Sequence, residues 1–243
     1  MFGITAIGAA SAGYFLSLGG LGLFAIATII LRAAITDYRL PLLIILIAWV
    51  IALISLLLGL GAMVFGEIGQ LNLRRSIVSI LVSAGIFLPI LIAGRAIAEL
   101  PMINDIMTDI ANPPEFRVVS TQRKPFDNSL ELSQARLDYH QKHYGDMQPL
   151  FLTGKPETHF DKIVSLVESK GWLLVASDKD RLVVEATDAT PFFGFKDDVV
   201  IRLSENNDQT RIDMRSASRQ GRHDFRVNAE RIEAFLSDLK TAP

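Results

Sequence analysis

The sequence predicts an α+β protein in two parts: an N-terminal transmembrane bundle of three helices, and a C-terminal antiparallel β-meander of four to five strands packed against two helices. The chain has 243 residues and is 50% apolar, yet only eight of its 50 charged residues lie within the first 103. Hydrophobic segments of membrane-spanning length occupy this first part. The remainder has the charge density of a soluble domain, and it contains four strand patterns between two helix patterns.

The N-terminal part, residues 1–100, contains three hydrophobic segments, at about residues 4–31, 40–65 and 77–93. Each is near or above the roughly 20 residues that cross the hydrocarbon layer as a helix. A cleaved secretion signal is the alternative for the first segment, but no basic residue precedes it and two more spans follow. The middle of each span lacks the ionisable residues that ion pathways need, so we do not expect a channel or pump built from these helices alone.

Small residues recur along the first span, and among them Gly13 and Gly20 are candidate contacts for the membrane or for a partner helix. Small side chains at a four-residue spacing allow helix backbones to approach closely. Packing inside the bundle is the alternative for both glycines. The number of lysines and arginines in the short loops does not determine the orientation of the chain in the membrane.

The C-terminal part, residues 104–243, begins with a proline-rich segment up to residue 155 that predicts mainly irregular structure. Within this segment we expect one short strand near residues 116–120 and a helical stretch around residues 130–140. A clear amphipathic helix follows, with Thr158 as its candidate N-cap and Gly171 at its end.

The region from residue 157 to residue 240 predicts a helix, four strands and a final helix. The strands are expected at residues 172–177, 181–187, 198–203 and 210–216. Turn signals between them are close enough for an antiparallel meander. The final helix, at about residues 226–240, places Ile232, Phe235 and Leu239 on one face and should cover the sheet.

Charged residues of two neighbouring strands are expected to meet on one face of this sheet. Strand alternation places Arg211, Asp213 and Arg215 on the same face. Depending on the register, Arg202 lies opposite Asp213, or Asp198 lies opposite Arg215. A network of ion pairs that fixes strand pairing is one interpretation of this patch. A binding site for an anionic group is the other.

The loop before the final helix favours the anion interpretation. The first turn of a helix exposes unpaired N–H groups, and arginine side chains add paired hydrogen bonds to phosphate or carboxylate. Against this, Asp224 is also a candidate N-cap, and Asn228 is expected to satisfy buried backbone groups. The full candidate set, for a ligand or for structural ion pairs, is Asp197, Asp198, Arg202, Asp213, Arg215, Ser216, Ser218, Arg219, Asp224, Asn228 and Arg231.

An apolar turn precedes the third predicted strand, where Phe192, Phe193 and Phe195 surround a glycine. These three rings are candidate contacts for the membrane or for a partner, and burial in the core of the domain is the alternative.

Several chemistries lack their motifs in this chain. There is no cysteine, no zinc-type histidine spacing, no phosphate loop and no dinucleotide fingerprint, so we expect no metal and no cofactor. The four histidines are expected on the solvated surface. The C-terminal part has a formal net charge of minus four, which makes nucleic acid a poor partner.

The C-terminal motifs together carry a family resemblance. They are Thr108-Asp109, Asn112-Pro113-Pro114-x-Phe116, Gly171-Trp172, Phe193-Gly194-Phe195-x-Asp197-Asp198-Val199-x-Ile201-Arg202, Asp213-x-Arg215-Ser216-x-Ser218-Arg219-x-Gly221-x-x-Asp224 and Asn228-x-x-Arg231-Ile232-x-x-Phe235. Over about residues 104–240 the chain resembles the bacterial and plant domain-of-unknown-function family 1499. One departure is visible, since the family pattern implies a small or apolar residue and then glycine after Asp224, where this chain has Phe225 and Arg226.

The resemblance implies an envelope or organelle-lumen module, for which no activity is established in the family. It further implies a protein integral to the bacterial inner (cytoplasmic) membrane, with its N-terminus inside and its C-terminal domain in the periplasm.

Three functions follow from these observations. The first is a membrane-anchored, non-enzymatic envelope module that serves as an accessory or scaffold subunit of a larger membrane complex, with the lipid bilayer and a membrane protein as partners. The alternative is binding of an anionic amphiphile, lipid or small molecule between the sheet and the last helix. The third is a metal-dependent hydrolase using Asp197, Asp198 and Asp213, although each of these acids has a candidate arginine partner.

Overall fold

The computed structural model describes residues 2–65, 69–97, 100–223 and 225–241. The chain divides into two compact units, residues 1–99 and residues 100–243. The first unit consists of three long apolar helices, and the second is built on an antiparallel sheet with short helices. The predicted α+β fold class is therefore confirmed.

The first unit contains the helices α1 (Phe2–Ala33), α2 (Arg39–Phe65) and α3 (Gln70–Ile97). Each includes a segment long and apolar enough to cross a membrane: Ile7–Ala33, Arg39–Phe65 and Gln70–Leu88. Helix α3 begins before the predicted hydrophobic segment, because the mostly polar residues 70–76 are also helical. In this region Arg75 Nη1 donates a hydrogen bond to Ser11 Oγ of α1, at 3.0 Å.

Both glycines singled out in α1 lie inside the bundle. A Cβ atom added to Gly13 would lie 3.0 Å from Ser79 Oγ, and one added to Gly20 would lie 3.2 Å from Ile51 Cγ2. Ser55 Oγ donates to the carbonyl oxygen of Gly13 at 2.7 Å, so the backbones are in close contact there. The packing alternative is correct for these residues, and the prediction that Gly13 and Gly20 contact lipid or a partner is wrong.

The sheet of the second unit has six strands in the order β1-β6-β5-β4-β3, and β2 also pairs with β6. The strands are β1 (Asp105–Met107), β2 (Leu150–Thr153), β3 (Leu173–Asp178), β4 (Val183–Ala189), β5 (Lys196–Asn206) and β6 (Gln209–Ser218). Strands β3 to β6 form the predicted meander. A two-residue turn joins β5 to β6, with Asn207 and Asp208 both at positive φ, 48° and 63°. This geometry is typical of the type I′ hairpin, which sets the register of the two strands.

The segment from residue 104 to residue 155 is more ordered than its prolines predict, because it contributes β1 and β2 to the sheet. The strand predicted near residues 116–120 is wrong, since Val119–Gln122 form a 3-10 helix. The buried carboxylate of Glu185 accepts hydrogen bonds from the N–H groups of Arg117, Val118 and Val119, at 2.9, 3.1 and 2.8 Å. Those amides are therefore bound to a side chain instead of to a neighbouring strand.

The described residues of the second unit form three α-helices: α4 (Gln134–Tyr144), α5 (Pro156–Ser169) and α6 (Val227–Thr241). Helix α5 begins before the predicted N-cap Thr158, with Lys155 as its N-cap and Pro156 in its first turn. Proline is favoured there because its fixed φ suits the helix and its missing N–H costs nothing.

The hydrophobic core lies between one face of the sheet and the helices α5 and α6. Ile163 of α5 and Phe235 of α6 are buried against Ile201 and Met214 of the sheet. The opposite face carries charged side chains and is covered by the segment between β1 and α4. Backbone oxygens of this segment accept hydrogen bonds from the sheet arginines Arg202 and Arg215. The sheet is thus apolar towards the helices and ionic towards this segment.

Candidate functional site

The first ionic cluster on the covered face joins Arg202, Arg211, Asp109 and Asp213, and we call it the Asp213 cluster. Arg202 lies opposite Asp213 across the β5–β6 ladder, which is the first of the two registers considered. Arg202 Nη2 lies 3.1 Å from a carboxylate oxygen of each aspartate. Arg211 donates to Asp213 from Nε and Nη2 and to Asp109 from Nη2, and the hydrogen bonds to Asp213 raise the pKa of Arg211. Two positive and two negative groups balance one another here.

The second register is wrong, because Asp198 lies opposite Ala217 and Arg215 lies opposite Val200. The carboxylate partner of Arg215 is Asp105. Arg215 Nε and Nη2 donate to the two oxygens of Asp105 at 2.9 and 2.8 Å, as a bidentate pair. Its remaining donors reach the backbone oxygens of Pro114 and Leu130, and the ring of Phe116 lies 5.0 Å from the guanidinium carbon. Such a pair is held in a single geometry by its hydrogen bonds.

Asp198 is fully buried between two arginines, and we call this group the Asp198 cluster. Arg219 donates to it from Nε and Nη2, at 3.0 and 2.8 Å, and Arg123 donates from Nε at 2.8 Å. The hydroxyl of Thr187 donates a further hydrogen bond at 2.8 Å. Burial lowers the pKa of Arg123, although Asp198 acts in the opposite direction. One carboxylate thus serves two guanidinium groups, which leaves a local excess of positive charge.

On the opposite face of the sheet, Arg231 of α6 binds the aspartates at the start of β5 and the end of β4. Its Nη2 atom donates to Asp197 at 2.6 Å and to Asp188 at 2.9 Å. The arginine and Asp197 side chains are each 5% exposed, whereas that of Asp188 is 29% exposed. The protein's own carboxylates therefore occupy the position where an anionic ligand was predicted.

Asn228 connects α6 to the end of β6. Its Oδ1 atom accepts hydrogen bonds from Ser216 Oγ at 2.6 Å and from Arg231 Nη1 at 2.7 Å, and its Nδ2 atom donates to Ser218 Oγ at 2.9 Å. Its Nδ2 atom also donates to the backbone oxygen of Asn104 at 3.4 Å, so Asn228 serves a backbone group, as predicted, and three side chains as well. The predicted N-cap Asp224 lies outside the described residues.

The structure does not bring together the three aspartates proposed for a hydrolase. Asp197 and Asp198 are consecutive strand residues and point to opposite faces of the sheet. Asp213 pairs with Arg202, four residues along β5 from Asp198, or about 13 Å at 3.3 Å per residue. Within the described ranges, no three His, Asp or Glu side chains are grouped so that they could hold a metal ion.

The predicted aromatic turn lies between β4 and β5. Phe192 is 58% exposed, whereas Phe193 and Phe195 are half-buried. The ring of Phe193 contacts both others, with centroid distances of 4.8 Å to Phe192 and 5.8 Å to Phe195. The ring of Phe193 therefore packs against the exposed ring of Phe192, and Phe195 packs against Phe193.

Sequence reasoning missed the partners contributed by the segment before α4. Asp105, Asp109 and Arg123 complete the ionic clusters on the covered face. The available signal was the motif Thr108-Asp109 and Asn112-Pro113-Pro114-x-Phe116, which supplies an aspartate, two backbone acceptors and an aromatic ring to these clusters.

His140 was predicted on the surface, and this prediction is wrong. Its side chain is 1% exposed, and its Nε2 atom accepts the N–H of Met107 at 3.0 Å. Burial lowers the pKa of His140, and the nearby Asp105 offsets this only in part. The neutral ring of His140 therefore acts as a buried hydrogen-bond acceptor for the backbone of β1.

Comparison with known protein families identifies the second unit. Residues 105–239 match the family described as a protein of unknown function, DUF1499, which covers more than half of the chain. The chain belongs to the DUF1499 family, and the resemblance read from the motifs is confirmed. A search of curated proteins gives no match.

The departure from the family pattern after Asp224 has a structural meaning. Phe225 and Arg226 both adopt left-handed backbone conformations, with φ of 54° and 69°. Glycine adopts this conformation without a steric cost, whereas other L-residues do so at a cost. The glycine implied by the family at position 226 would relieve that cost.

Proposed function

We propose that this protein is a membrane-anchored, non-enzymatic envelope module that acts as an accessory or scaffold subunit of a larger membrane complex. The observation that carries the proposal is that the acidic side chains of the candidate site are buried and paired with arginines. Asp105, Asp197, Asp198 and Asp213 are buried, and each accepts hydrogen bonds from arginine. A general acid, base or metal ligand must reach a substrate or an ion, and these carboxylates are already bound.

An exposed aromatic surface supports a role in binding a membrane-protein partner. We call it the aromatic end, and its described residues are 190–195, 222, 223, 225 and 226. The loops leave the same end of the sheet, because the N–H of Arg219 donates to the carbonyl oxygen of Lys196 at 2.8 Å. Phe192 and Phe225 are 58% and 49% exposed. Exposed aromatic rings are enriched at protein interfaces, where they bury a large area.

Partner binding can be tested by extracting the full chain from its own membrane with a lipid-preserving polymer and measuring its assembly size. We expect an assembly larger than the monomer, which the double variant Phe192→Ser and Phe225→Ser reduces to the monomer. Leu173→Ser is the matched control, because Leu173 is 64% exposed but lies on the edge strand β3. A monomer in several extraction conditions, or an assembly unaffected by the double variant, contradicts the proposal.

We further propose that the protein lies in the bacterial inner membrane, with its N-terminus inside and its second unit in the periplasm. Three candidate spans support the membrane location, and the resemblance to envelope modules supports the orientation. Because the chain has no cysteine, single cysteines can report topology through a membrane-impermeant maleimide. Ile35→Cys and Glu205→Cys should react from outside, and Gly69→Cys only after permeabilisation. The reverse labelling pattern contradicts the orientation.

The alternative function is binding of an anionic amphiphile between the sheet and α6. The arginines predicted to bind the anion are already paired with aspartates. Arg202, Arg215, Arg219 and Arg231 each donate to a buried aspartate. An anion at these positions would have to displace a carboxylate and leave it buried without its partner, which is costly. An arginine outside this set favours an anionic ligand at a different place in the second unit.

A further inference from the structure

A cavity of about 390 Å³ opens between residues 102–107 and the first half of α4. Met102, Met107, Leu132 and Tyr139 are among the residues that line it. Arg136 is the cation of this lining, and Asp105 is its carboxylate. Small-molecule sites are typically concave, mostly apolar and at least about 300 Å³ in volume, with a few polar groups that orient the ligand. The cavity meets this description at the lower end of the size range.

Arg136 differs from the arginines of the ionic clusters. Each of the cluster arginines donates to a carboxylate at 3.1 Å or less: Arg123, Arg202, Arg211, Arg215, Arg219 and Arg231. The carboxylate paired with Arg136 is that of Asp105, 3.9 Å away, and it is already held by the bidentate bonds of Arg215. The charge of Arg136 is therefore only weakly compensated.

Neutral acceptors fix the position of Arg136. Its Nη1 atom donates to the backbone oxygens of Ser129 and Glu131, at 3.1 and 2.8 Å, and its Nη2 atom donates to Asn104 Oδ1 at 3.3 Å. These bonds orient the guanidinium without neutralising it. A cation held in this way is prepared for a charge-assisted hydrogen bond to an anion.

The apolar walls of the cavity are also held in place. The N–H of Met102 donates to the hydroxyl oxygen of Tyr139 at 3.2 Å, and the N–H of Met107 donates to the buried ring of His140 at 3.0 Å. The two methionine side chains can adapt to an irregular apolar ligand while their backbones remain fixed.

We propose that this cavity binds a single-chain carboxylic acid, with the alkyl chain against the apolar walls and the carboxylate at Arg136. The apolar lining selects the chain, and the weakly compensated cation selects the anionic head. Its small volume favours one chain over the two chains of a phospholipid. This site does not depend on a partner subunit, so its failure and the failure of the proposed function are distinguishable.

The test uses the full chain in lipid nanodiscs and dodecanoate that carries a photoreactive diazirine at the end of its chain. After irradiation, mass spectrometry of the digested protein should find the label on peptides that contain Met102, Met107 or Leu132. The matching alcohol lacks the carboxylate and should label these peptides much less. A phosphatidylglycerol probe that labels them as well as dodecanoate does would overturn the assignment to a single-chain acid.

Two variants test the site independently. Arg136→Ala should lower labelling of the cavity about tenfold, because a hydrogen bond to a charged group is lost, while Arg136→Lys should retain most of it. Ala135→Trp should block the cavity that Ala135 lines. The control Arg181→Ala removes an arginine whose side chain is 60% exposed in the turn between β3 and β4, and it should leave labelling of the cavity unchanged.

Circular dichroism of each variant establishes whether the fold is intact. Should Arg136→Ala loosen the loop at residues 129–131, Arg136→Lys and Ala135→Trp decide the outcome. Labelling confined to the spans, or cavity labelling that survives Ala135→Trp in a folded protein, would overturn the proposal.

Discussion

Asp198 links two arginines on the covered face of the sheet. It is fully buried and bonded to both Arg123 and Arg219. Asp198→Ala leaves two buried guanidinium groups without their carboxylate, and removing one partner of a buried ion pair typically costs about 3–5 kcal/mol. We expect a loss of this size in the free energy of unfolding of the second unit. Fluorescence of Trp172 during denaturation measures it, in a Trp49→Phe background that removes the second tryptophan of the chain.

The matched control for Asp198 is Asp178, which forms an exposed ion pair with Arg181 at 3.8 Å. Asp178→Ala should cost less than about 1 kcal/mol, because solvent screens such pairs. Equal losses in the two variants would show that the buried cluster contributes no more than a surface pair.

His140 makes the structure around β1 sensitive to pH. Burial lowers its pKa in the folded state, so the unfolded chain binds its proton first as the pH falls. This contribution to stability is complete above the unfolded value of about 6.5 and decreases as the pH falls through it. Protonation also removes the acceptor of the Met107 N–H. Hydrogen exchange at Met107, corrected for the intrinsic rate, should therefore accelerate below about pH 6.5.

A His140→Gln variant provides the comparison, since a glutamine does not titrate in this range. Its Met107 amide should show no such pH dependence. Protection of Met107 in the natural protein that stays constant between pH 7 and pH 5 contradicts the assigned role of the neutral ring.

At the scale of the elements, the contact of α1 with α2 and α3 depends on the absence of a side chain at Gly13. A Cβ atom there would lie 3.0 Å from Ser79 Oγ and 3.2 Å from the carbonyl oxygen of Ser55, whereas one at Gly8 would meet nothing within 4 Å. Gly13→Leu should therefore destabilise the bundle by about 1–3 kcal/mol, the usual cost of overpacking. Gly8→Leu is the control, because it makes the same change in helix propensity without a steric clash. It should leave the stability of the bundle unchanged.

Trp49 reports this unfolding, because its ring stacks on Phe87 of α3 at 4.7 Å and its Nε1 atom donates to the backbone oxygen of Ile86. A Trp172→Phe background removes the other tryptophan. Equal stability of the two glycine variants would indicate that the helices separate at Gly13 without cost.

The start of α6 carries backbone strain that a single substitution can measure. Arg226 has φ of 69° and forms exposed ion pairs with Glu230 and Glu233. Arg226→Gly and Arg226→Ala both remove these pairs, but only glycine adopts a left-handed conformation without steric cost. We expect the glycine variant to be more stable than the alanine variant by about 1–2 kcal/mol, measured by denaturation followed through Trp172. Equal stability would indicate that the φ at position 226 changes freely.

For the whole molecule, three long apolar helices in one chain predict that it behaves as an integral membrane protein. Each candidate span is near or above the roughly 20 residues needed to cross the hydrocarbon layer, so the chain should remain in the membrane pellet after an alkaline carbonate wash. A peripheral protein of the same membrane, released by the wash, is the control. Release of the full chain would contradict membrane insertion of the helices.

Prediction from sequence succeeded where a pattern is local. The three apolar segments, the strands β3 to β6 and helix α6 show the periodicities of their elements. Strand alternation offered Arg202 opposite Asp213 as one of two registers, and the structure selected it. It failed for β1 and β2, which are three and four residues long and too short to show alternation. It also failed for Glu185, whose role is to bind amides that lie 66 to 68 residues away in the chain.

The sequence by itself determined that this chain has three helices of membrane-spanning length, a DUF1499 domain and a meander covered by α6, because hydrophobic periodicity and motif spacing are local properties. Only the tertiary structure decided which arginine meets which aspartate. Asp198 meets Arg123 across 75 residues, and Asp105 meets Arg215 across 110. The same long-range packing leaves Arg136 beside an apolar cavity with neutral acceptors, because Asp105 is already bound to Arg215.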